Sequence, residues 1–369
     1  MGGFCSALNL ADPLSCFFKK VKNYAKGENF SVRHINIPIF IPHLGCPNTC
    51  VFCNQRSISG HLDFDISKVE NEIEAVLSTV TETDECEIAF FGGSFTGIDR
   101  ALMIELLSLA QKYIDCGRVR SIRLSTRPDY IDDEILDILS SFSVKTIELG
   151  LQSMDDKVLL STKRGHTSAC AMRACKMIKE RGFDLIGQMM IGLPDSTLET
   201  ELYTARTICE LGADGARVYP TVVFYQTELC SMMQSGVYKA LSNEEAVERT
   251  RDVLKIFAEQ GVPCIRVGLC AGENLSDEAC VAGGANHSAI GELAQSALYL
   301  DKICEILDSA TLENTSQSII IYCALGEVSK VVGQKRKNIE KIYQKYQIKR
   351  VKVLEKEELL RYNIIIDFI

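Results

Sequence analysis

No apolar run in this chain approaches the ~20 residues that a membrane-spanning helix needs, so a membrane-embedded role is not expected. A secretory signal is missing too, because Lys19, Lys20, Lys22 and Lys26 follow the first apolar residues instead of preceding them. The start, Met1-Gly2-Gly3-Phe4-Cys5-Ser6, fits the myristoylation pattern only loosely, and a single acyl chain anchors weakly. The sixteen cysteines, scattered from Cys5 to Cys323, lack the regular framework that staples small secreted domains. The expected setting is therefore the reducing cytoplasm, without a membrane partner. Most thiols, such as Cys86, Cys209 and Cys304, sit among apolar neighbours and read as small core residues. Cys264, Cys270 and Cys280 are spaced six and ten apart, which matches no compact ligand motif.

What is present is enough for a sizeable core: 369 residues, 46% of them hydrophobic, read as one large domain and a small one. Charge divides unevenly. Residues 319 to 369 hold eleven Lys and Arg against six Asp and Glu, a balance of +5, so the rest of the chain carries −14 of the net −9. A basic tail on an acidic body is suited to a polyanion, although a solvated helix face would look the same.

Residues 1–30 carry no sustained period and read as a leader. From Ile35 onward, short β-rich apolar runs alternate with helical segments. The expected strands are Ile35 to Ile41, Glu87 to Phe91, Ser121 to Ser125, Thr146 to Leu149, Asp184 to Ile191 and Ala216 to Tyr219. Helices are expected at Ser67 to Val80, Arg100 to Tyr113, Asp132 to Leu139, Ser168 to Arg181, Thr197 to Leu211 and Asn243 to Glu259, the last feeding the run Pro263 to Leu269. Six β-α repeats imply parallel strands, because each crossover returns the chain in the same direction. The expected fold is α/β: a partial (β/α)6 TIM-like barrel over 31–270, a helical extension and linker over 271–318, and a small basic α+β domain over 319–369. In such a fold ligands gather at the carboxyl ends of the strands.

The first strand ends in Cys46-Pro47-Asn48-Thr49-Cys50-Val51-Phe52-Cys53, three thiols spaced C-x3-C-x2-C. Three thiolates on a [4Fe–4S] cluster leave one iron free for an outside ligand, whereas structural zinc normally closes with four protein ligands; His43 or His61 could supply the fourth. The second strand ends in Phe91-Gly92-Gly93-Ser94, where paired glycines let backbone approach a ligand closely. Ser125-Thr126-Arg127-Pro128-Asp129 ends the third, Glu148-Leu149-Gly150-Leu151-Gln152-Ser153 the fourth, Gln188 to Asp195 the fifth, and Tyr219-Pro220-Thr221 the sixth, with Lys163-Arg164-Gly165-His166 following the fourth. Unusual residues at one strand end after another favour a shared pocket.

With the thiol loop and the Gly-Gly turn in these positions, the region from Ile35 to Leu269 resembles the radical S-adenosylmethionine (SAM) superfamily. The segments Thr126 to Asp129, Glu148 to Ser153, Lys163 to His166 and Val218 to Thr221 are similar to those of the Elongator catalytic subunit and its bacterial relatives; a looser likeness runs to oxygen-independent coproporphyrinogen oxidases. The resemblance implies a radical SAM enzyme in which Cys46, Cys50 and Cys53 hold a [4Fe–4S] cluster and SAM binds the free iron. Reductive cleavage of SAM then yields a 5′-deoxyadenosyl radical that removes hydrogen from substrate, with electrons from a donor such as flavodoxin or ferredoxin. It also implies that Phe52 lies near the adenine, that Gly92, Gly93 and Ser94 meet the methionine amino group, that Gln152 and Arg164 contact SAM, and that Tyr219 and Pro220 lie near the adenine side. Ser125 and Gln188 replace the acidic residues often found there, and each can still hydrogen-bond a ribose. The Elongator subunit continues into an acetyltransferase domain, and no stretch of this sequence is long enough to be one.

Beyond Ala282-Gly283-Gly284-Ala285-Asn286-His287, read as flexible with His287 on a surface loop, a helix is expected from Ile290 to Leu307 and a linker from Asn314 to Ser318. The tail reads as strand Ile319 to Cys323, one helix Ser329 to Tyr346, strand Arg350 to Val353 and a last strand Ile364 to Phe368. Within it, Gly333-Gln334-Lys335-Arg336 resembles the KH-domain loop whose G-x-x-G turn clamps single-stranded nucleic acid, with Arg336 in place of the second glycine. RNA, transfer RNA included, is therefore a candidate partner. Two other readings stay open: the same chemistry on a small molecule or protein, and a metal-stabilised RNA-binding protein without catalysis.

Overall fold

The computed structural model describes residues 33–41, 44–46, 50–54, 64–81, 83–269, 280–310 and 318–369. The leader, His43, Pro47 to Thr49, His61, Cys270 and most of the expected linker lie outside them.

Seven parallel strands form the central sheet: β1 His34–Ile41, β2 Glu85–Gly92, β3 Ser121–Thr126, β4 Val144–Gln152, β5 Asp184–Ile191, β6 Gly215–Pro220 and, after the short β7 Val222–Phe224, β8 Cys264–Val267. Their spatial order is β1-β2-β3-β4-β5-β6-β8, so each new parallel strand is laid beside the last. The helices between them include α1 Val69–Leu77, α2 Arg100–Asp115, α3 Asp133–Ser140, α4 Asp156–Ser161, α5 Ser168–Glu180, α6 Leu198–Glu210, α7 Glu228–Gln234 and α8 Asn243–Glu259. Side-chain caps start most of them: Asp99 accepts from two amides of α2, and Thr197 and Ser242 form capping boxes on α6 and α8.

Period-two alternation gives the sheet two unlike faces. Ile37, Ile39, Ile88, Phe90, Ile122, Leu124, Ile147, Leu149, Leu185, Met189 and Val218 point to one side and join helix residues such as Ile73, Leu106, Leu136 and Ile178 in one buried cluster. The other face carries Glu87, Arg123, Ser125, Glu148, Gln188, Arg217 and Tyr219. The sheet is curled around this second face. Arg217 on β6 lies 5.5 Å from the ring of Phe91 on β2, whereas a flat sheet would hold strands four places apart about 19 Å from each other. The expected partial barrel is present, with a seventh strand beyond the six repeats.

Two features differ from expectation. Ala282 to Gly284, the start of the segment read as flexible, lie in strand β9 Val281–Gly284, paired antiparallel with β7. The tail helix is not continuous: α10 Val328–Val332 stops at Gly333, the chain turns through Gln334 to Arg336, and α11 runs Lys337–Tyr346. Gly333 has φ +79°, and a Cβ there would lie 2.9 Å from the Asn338 side chain, so only glycine fits. Asn338 is buried and donates to Ser296, Lys330 and Val331 carbonyls, pinning the break to the long helix α9 Ile290–Ser309.

The tail strands β10 Ser318–Cys323, β11 Arg350–Glu355 and β12 Ile365–Phe368 make a three-stranded sheet, β10 central, parallel to β11 and antiparallel to β12. Ser318 thus opens a strand instead of ending the linker. Apolar residues of the tail, Ile319, Ile321, Val331, Ile339 and Ile342, belong to the same buried cluster as the barrel, joined through Leu298, Tyr299 and Ile303 of α9.

Candidate radical SAM site

Cys46, Cys50 and Cys53 follow β1, and none of the three is in a disulfide; Cys50 is buried and the other two are half-buried. The loop is anchored around them. Val51 is buried against Val223, Leu229 and Tyr238; its amide donates to Thr162 and its carbonyl accepts from Leu229. Phe52 packs at the edge of the same cluster, beside Met232, Met233 and Ala282. Among the described residues no three His, Cys, Asp or Glu side chains converge on one ion position.

The Gly-Gly turn braces the entry to this loop. A Cβ on Gly93 would fall 2.2 Å from the Leu44 carbonyl oxygen, and one on Gly45 2.2 Å from that of Ser94. Gly92 adopts φ +111° and closes on Ile41. Ser94 is fully buried; its amide donates to Leu44, and its hydroxyl meets Thr126 Oγ1 at 2.9 Å and accepts from the Arg127 amide. Its side chain thereby ties the ends of β2 and β3 together.

Two guanidinium groups stand behind the thiols. Arg127, only 2% exposed, forks onto Asp129 through Nε (2.9 Å) and Nη2 (2.8 Å) and donates to the Arg164 carbonyl at 2.6 Å. Arg164, 7% exposed, donates through Nη2 to the Gly150 carbonyl at 2.7 Å and through Nη1 to Cys50 Sγ at 3.5 Å. Burial pushes the Cys46 thiol up, and the charges of Arg164 and Arg127 oppose it. Burial also raises Asp129, but hydrogen bonds and charge from Arg127 outweigh it and hold the carboxyl below its usual range. His166 sits 4.0 Å from Asp129; burial and the Arg164 charge push it down to about 3, so it is neutral.

Several buried polar atoms here have no hydrogen-bond partner among the described residues: Arg127 Nη1, Arg164 Nε and Gln152 Oε1. Such groups cost about 1–3 kcal/mol each when left unpaired, and more when charged. Gln152 holds φ +65°, a strained backbone for a non-glycine residue. The two unsatisfied guanidinium donors, Arg127 Nη1 and Arg164 Nε, suit an anionic, hydrogen-bond-accepting group. The residues fit a [4Fe–4S] cluster with SAM.

Deeper in the barrel, charged residues span the strands. Glu148, fully buried, accepts from Arg123 Nη1 (3.1 Å), Arg217 Nη2 (2.7 Å) and Gln188 Nε2 (2.9 Å), with Ser125 Oγ at 3.4 Å. Arg123 also pairs with Glu87, which takes Ser121 and His34 as further partners. Arg217 Nη1 reaches the Tyr219 hydroxyl at 3.3 Å. Ser125 and Gln188 are thus brought together, and both lean on Glu148. Pro220 is buried at the end of β6. His287 accepts the Ala289 amide through Nδ1, a local turn. Sequence reasoning missed Glu87, Arg123, Glu148 and Arg217 as one group; the available signal was a charged residue inside otherwise apolar strands.

This curled sheet with cysteines after its first strand defines a radical SAM enzyme. The radical SAM superfamily model matches residues 40–208 and the Radical_SAM C-terminal domain model residues 213–300. The chain belongs to the radical SAM superfamily, whose members use a [4Fe–4S] cluster and SAM. Among curated relatives, an uncharacterised protein of Methanocaldococcus jannaschii is 26% identical over 62% of this chain and 73% of its own. A tRNA uridine(34) acetyltransferase of Methanocaldococcus infernus is 28% identical over 45% of this chain and 35% of its own. The match thus spans about a third of that enzyme's length. Among solved structures, Methanocaldococcus infernus Elp3 with an N-terminal deletion superposes with a TM-score of 0.58, at 20% identity, over 76% of this chain and 65% of that one.

Proposed function

We propose that this enzyme abstracts hydrogen from an RNA substrate, transfer RNA in particular, with SAM as cosubstrate. When bound, the cluster supplies the electron that cleaves SAM and so delivers the 5′-deoxyadenosyl radical. Cys46, Cys50 and Cys53 would hold the cluster. The observation that carries the reading is the pair of buried guanidinium groups, Arg164 with Nη1 3.5 Å from Cys50 Sγ and Arg127 bonded to the Arg164 carbonyl, each with an unpartnered donor. Arg164 and Gln152 orient the methionine end of SAM, Gly92 and Gly93 keep backbone close to it, Ser125 and Gln188 stand where the ribose is expected, and Phe52 with Tyr219 flanks the adenine. The polar floor built on Glu148 holds Ser125 and Gln188, and Tyr219 through Arg217, and so would preorganise that side of the chamber. An external low-potential donor of the flavodoxin or ferredoxin type supplies the electron, and the cytoplasm is the expected compartment; among the described residues no helix is long and apolar enough to cross a membrane.

Support for RNA comes from the tail. Lys335, Arg336, Lys337, Lys341, Lys349, Arg350 and Lys352 are all exposed, and none has an ion pair among the described residues. By contrast Lys345 pairs with Asp308 and Lys356 with Glu358. Lys335 and Arg336 occupy the turn between α10 and α11, where φ values of +53° and +62° stand in for the missing second glycine of the KH-like loop. The relative that acts on transfer RNA by name adds weight to this choice. Deuterium transfer from SAM labelled at the 5′ position into bulk transfer RNA tests it. Label in a nucleoside supports the reading; label that enters only small molecules or protein would move the substrate to those classes.

A further inference from the structure

We propose that Arg164 is a cluster-contacting residue that raises the cluster's reduction potential, and that Arg127 and Asp129 are the positioning residues that hold it there. This rests on the assignment of the cluster to Cys46, Cys50 and Cys53. Resemblance alone gives Arg164 to SAM, yet its Nη1 is directed at Cys50 Sγ, 3.5 Å away, and its Nη2 is committed to the Gly150 carbonyl. A guanidinium that donates to a ligating sulfur acts on the cluster before SAM arrives.

The hold on Arg164 is built from the next strand end. Arg127 reaches across from the end of β3 to the Arg164 carbonyl at 2.6 Å, and Asp129 fixes the Arg127 fork with two hydrogen bonds. Pro128 starts the short helical turn that places Asp129 two residues on, facing back to Arg127. A further constraint comes from Gly150: a Cβ there would lie 2.7 Å from Arg164 Nη2, so the strand leaves the arginine its path only because this position has no side chain. Arg127 Nη1 and Arg164 Nε remain buried and unpartnered, and Asp129, at the edge of the site, is the carboxylate paired with Arg127.

The electrostatic consequence has a definite sign. Reduction adds one electron from the external donor and makes the cluster one unit more negative; no bond forms or breaks and no proton is required. A cation in a poorly solvated site favours the more negative state, and hydrogen bonds to the sulfurs act in the same direction. Removing Arg164 should therefore shift the midpoint potential to more negative values, and removing the Arg127 fork should do so through Arg164.

The test is an EPR-monitored redox titration of the anaerobically reconstituted full chain without SAM, for the wild type, Arg164→Gln, Arg164→Lys and Arg127→Lys. Iron and sulfide content and the visible absorption band are measured first on each. The expected result is a full cluster in every protein, with the midpoint most negative in Arg164→Gln and partly restored in Arg164→Lys. Arg127→Lys keeps the charge but loses the fork, and should lie between wild type and Arg164→Gln. Asp129→Asn is the companion where Arg127→Lys does not fold, with the same direction expected. Unchanged midpoints in loaded variants would overturn the proposal and leave Arg164 to SAM alone. Absence of a cluster from the wild type would instead remove the underlying assignment.

Discussion

Glu148 on β4 and Arg217 on β6 meet at 2.7 Å across the hollow of the sheet, and the carboxylate is wholly buried. Because Arg123 also donates to it, Glu148 is the anion that two half-buried cations share, and Glu87 takes the other side of Arg123. Glu148→Gln would keep the shape but leave Arg217 without a carboxylate and Arg123 with Glu87 alone. Breaking a buried pair in this way costs about 3–5 kcal/mol. Chemical denaturation should show a loss of that order, whereas Glu358→Gln, at an exposed tail pair, should change stability by less than about 1 kcal/mol.

His166 links stability to pH. Its folded pKa is about 3, set by burial first and the Arg164 charge second, against about 6.5 in the unfolded chain. The unfolded state therefore takes up the proton first as pH falls. The contribution to stability is fully present above about pH 6.5 and is lost progressively toward pH 3. His166→Gln should flatten the decline of stability with acidification across that window. A variant that declines as steeply as the wild type would show that His166 does not carry the effect.

Gly93 and Gly45 interlock the Gly-Gly turn with the thiol loop, and both contacts are to backbone that cannot swing aside. Gly93→Ala should lower iron and sulfide per chain several-fold on reconstitution, because the loop before Cys46 must move. Gly117→Ala, at a positive-φ surface turn with open space around it, carries backbone strain without that contact; its cluster content should stay at the wild-type level.

The tail and the chemistry should separate. Replacing Lys335, Arg336, Lys337 and Lys341 by Gln should weaken RNA binding at least tenfold at low salt and reduce the steepness of its salt dependence. SAM cleavage in the absence of RNA should continue at the wild-type rate. Equal loss of both would mean that the tail serves the barrel structurally, which the shared core around Tyr299 would explain.

The strands were legible because their outward residues alternate as apolar runs of length suited to β structure, from Ile35-Ile37-Ile39-Ile41 to Ala216-Val218. The thiol loop was legible from local spacing alone. The Glu87–Arg123–Glu148–Arg217 group was not: its members come from four different strands, and only register and curl bring them together. The break at Gly333 was hidden for a different reason. Val328 to Tyr346 has sound helical periodicity on both sides, and the turn depends on Asn338 filling the space where a Cβ would otherwise sit. The contacts of the Ser94 hydroxyl with Thr126 and the Arg127 amide were not legible either, because they join the ends of two strands.

The most direct test is reductive SAM cleavage by the anaerobically reconstituted chain. The wild type is expected to contain about four irons and four sulfides, to show the broad visible absorption of a [4Fe–4S] cluster, and to release 5′-deoxyadenosine when reduced in the presence of SAM; Cys50→Ala should lose both. One bound zinc, no cluster, and no 5′-deoxyadenosine with all three cysteines intact would contradict the account.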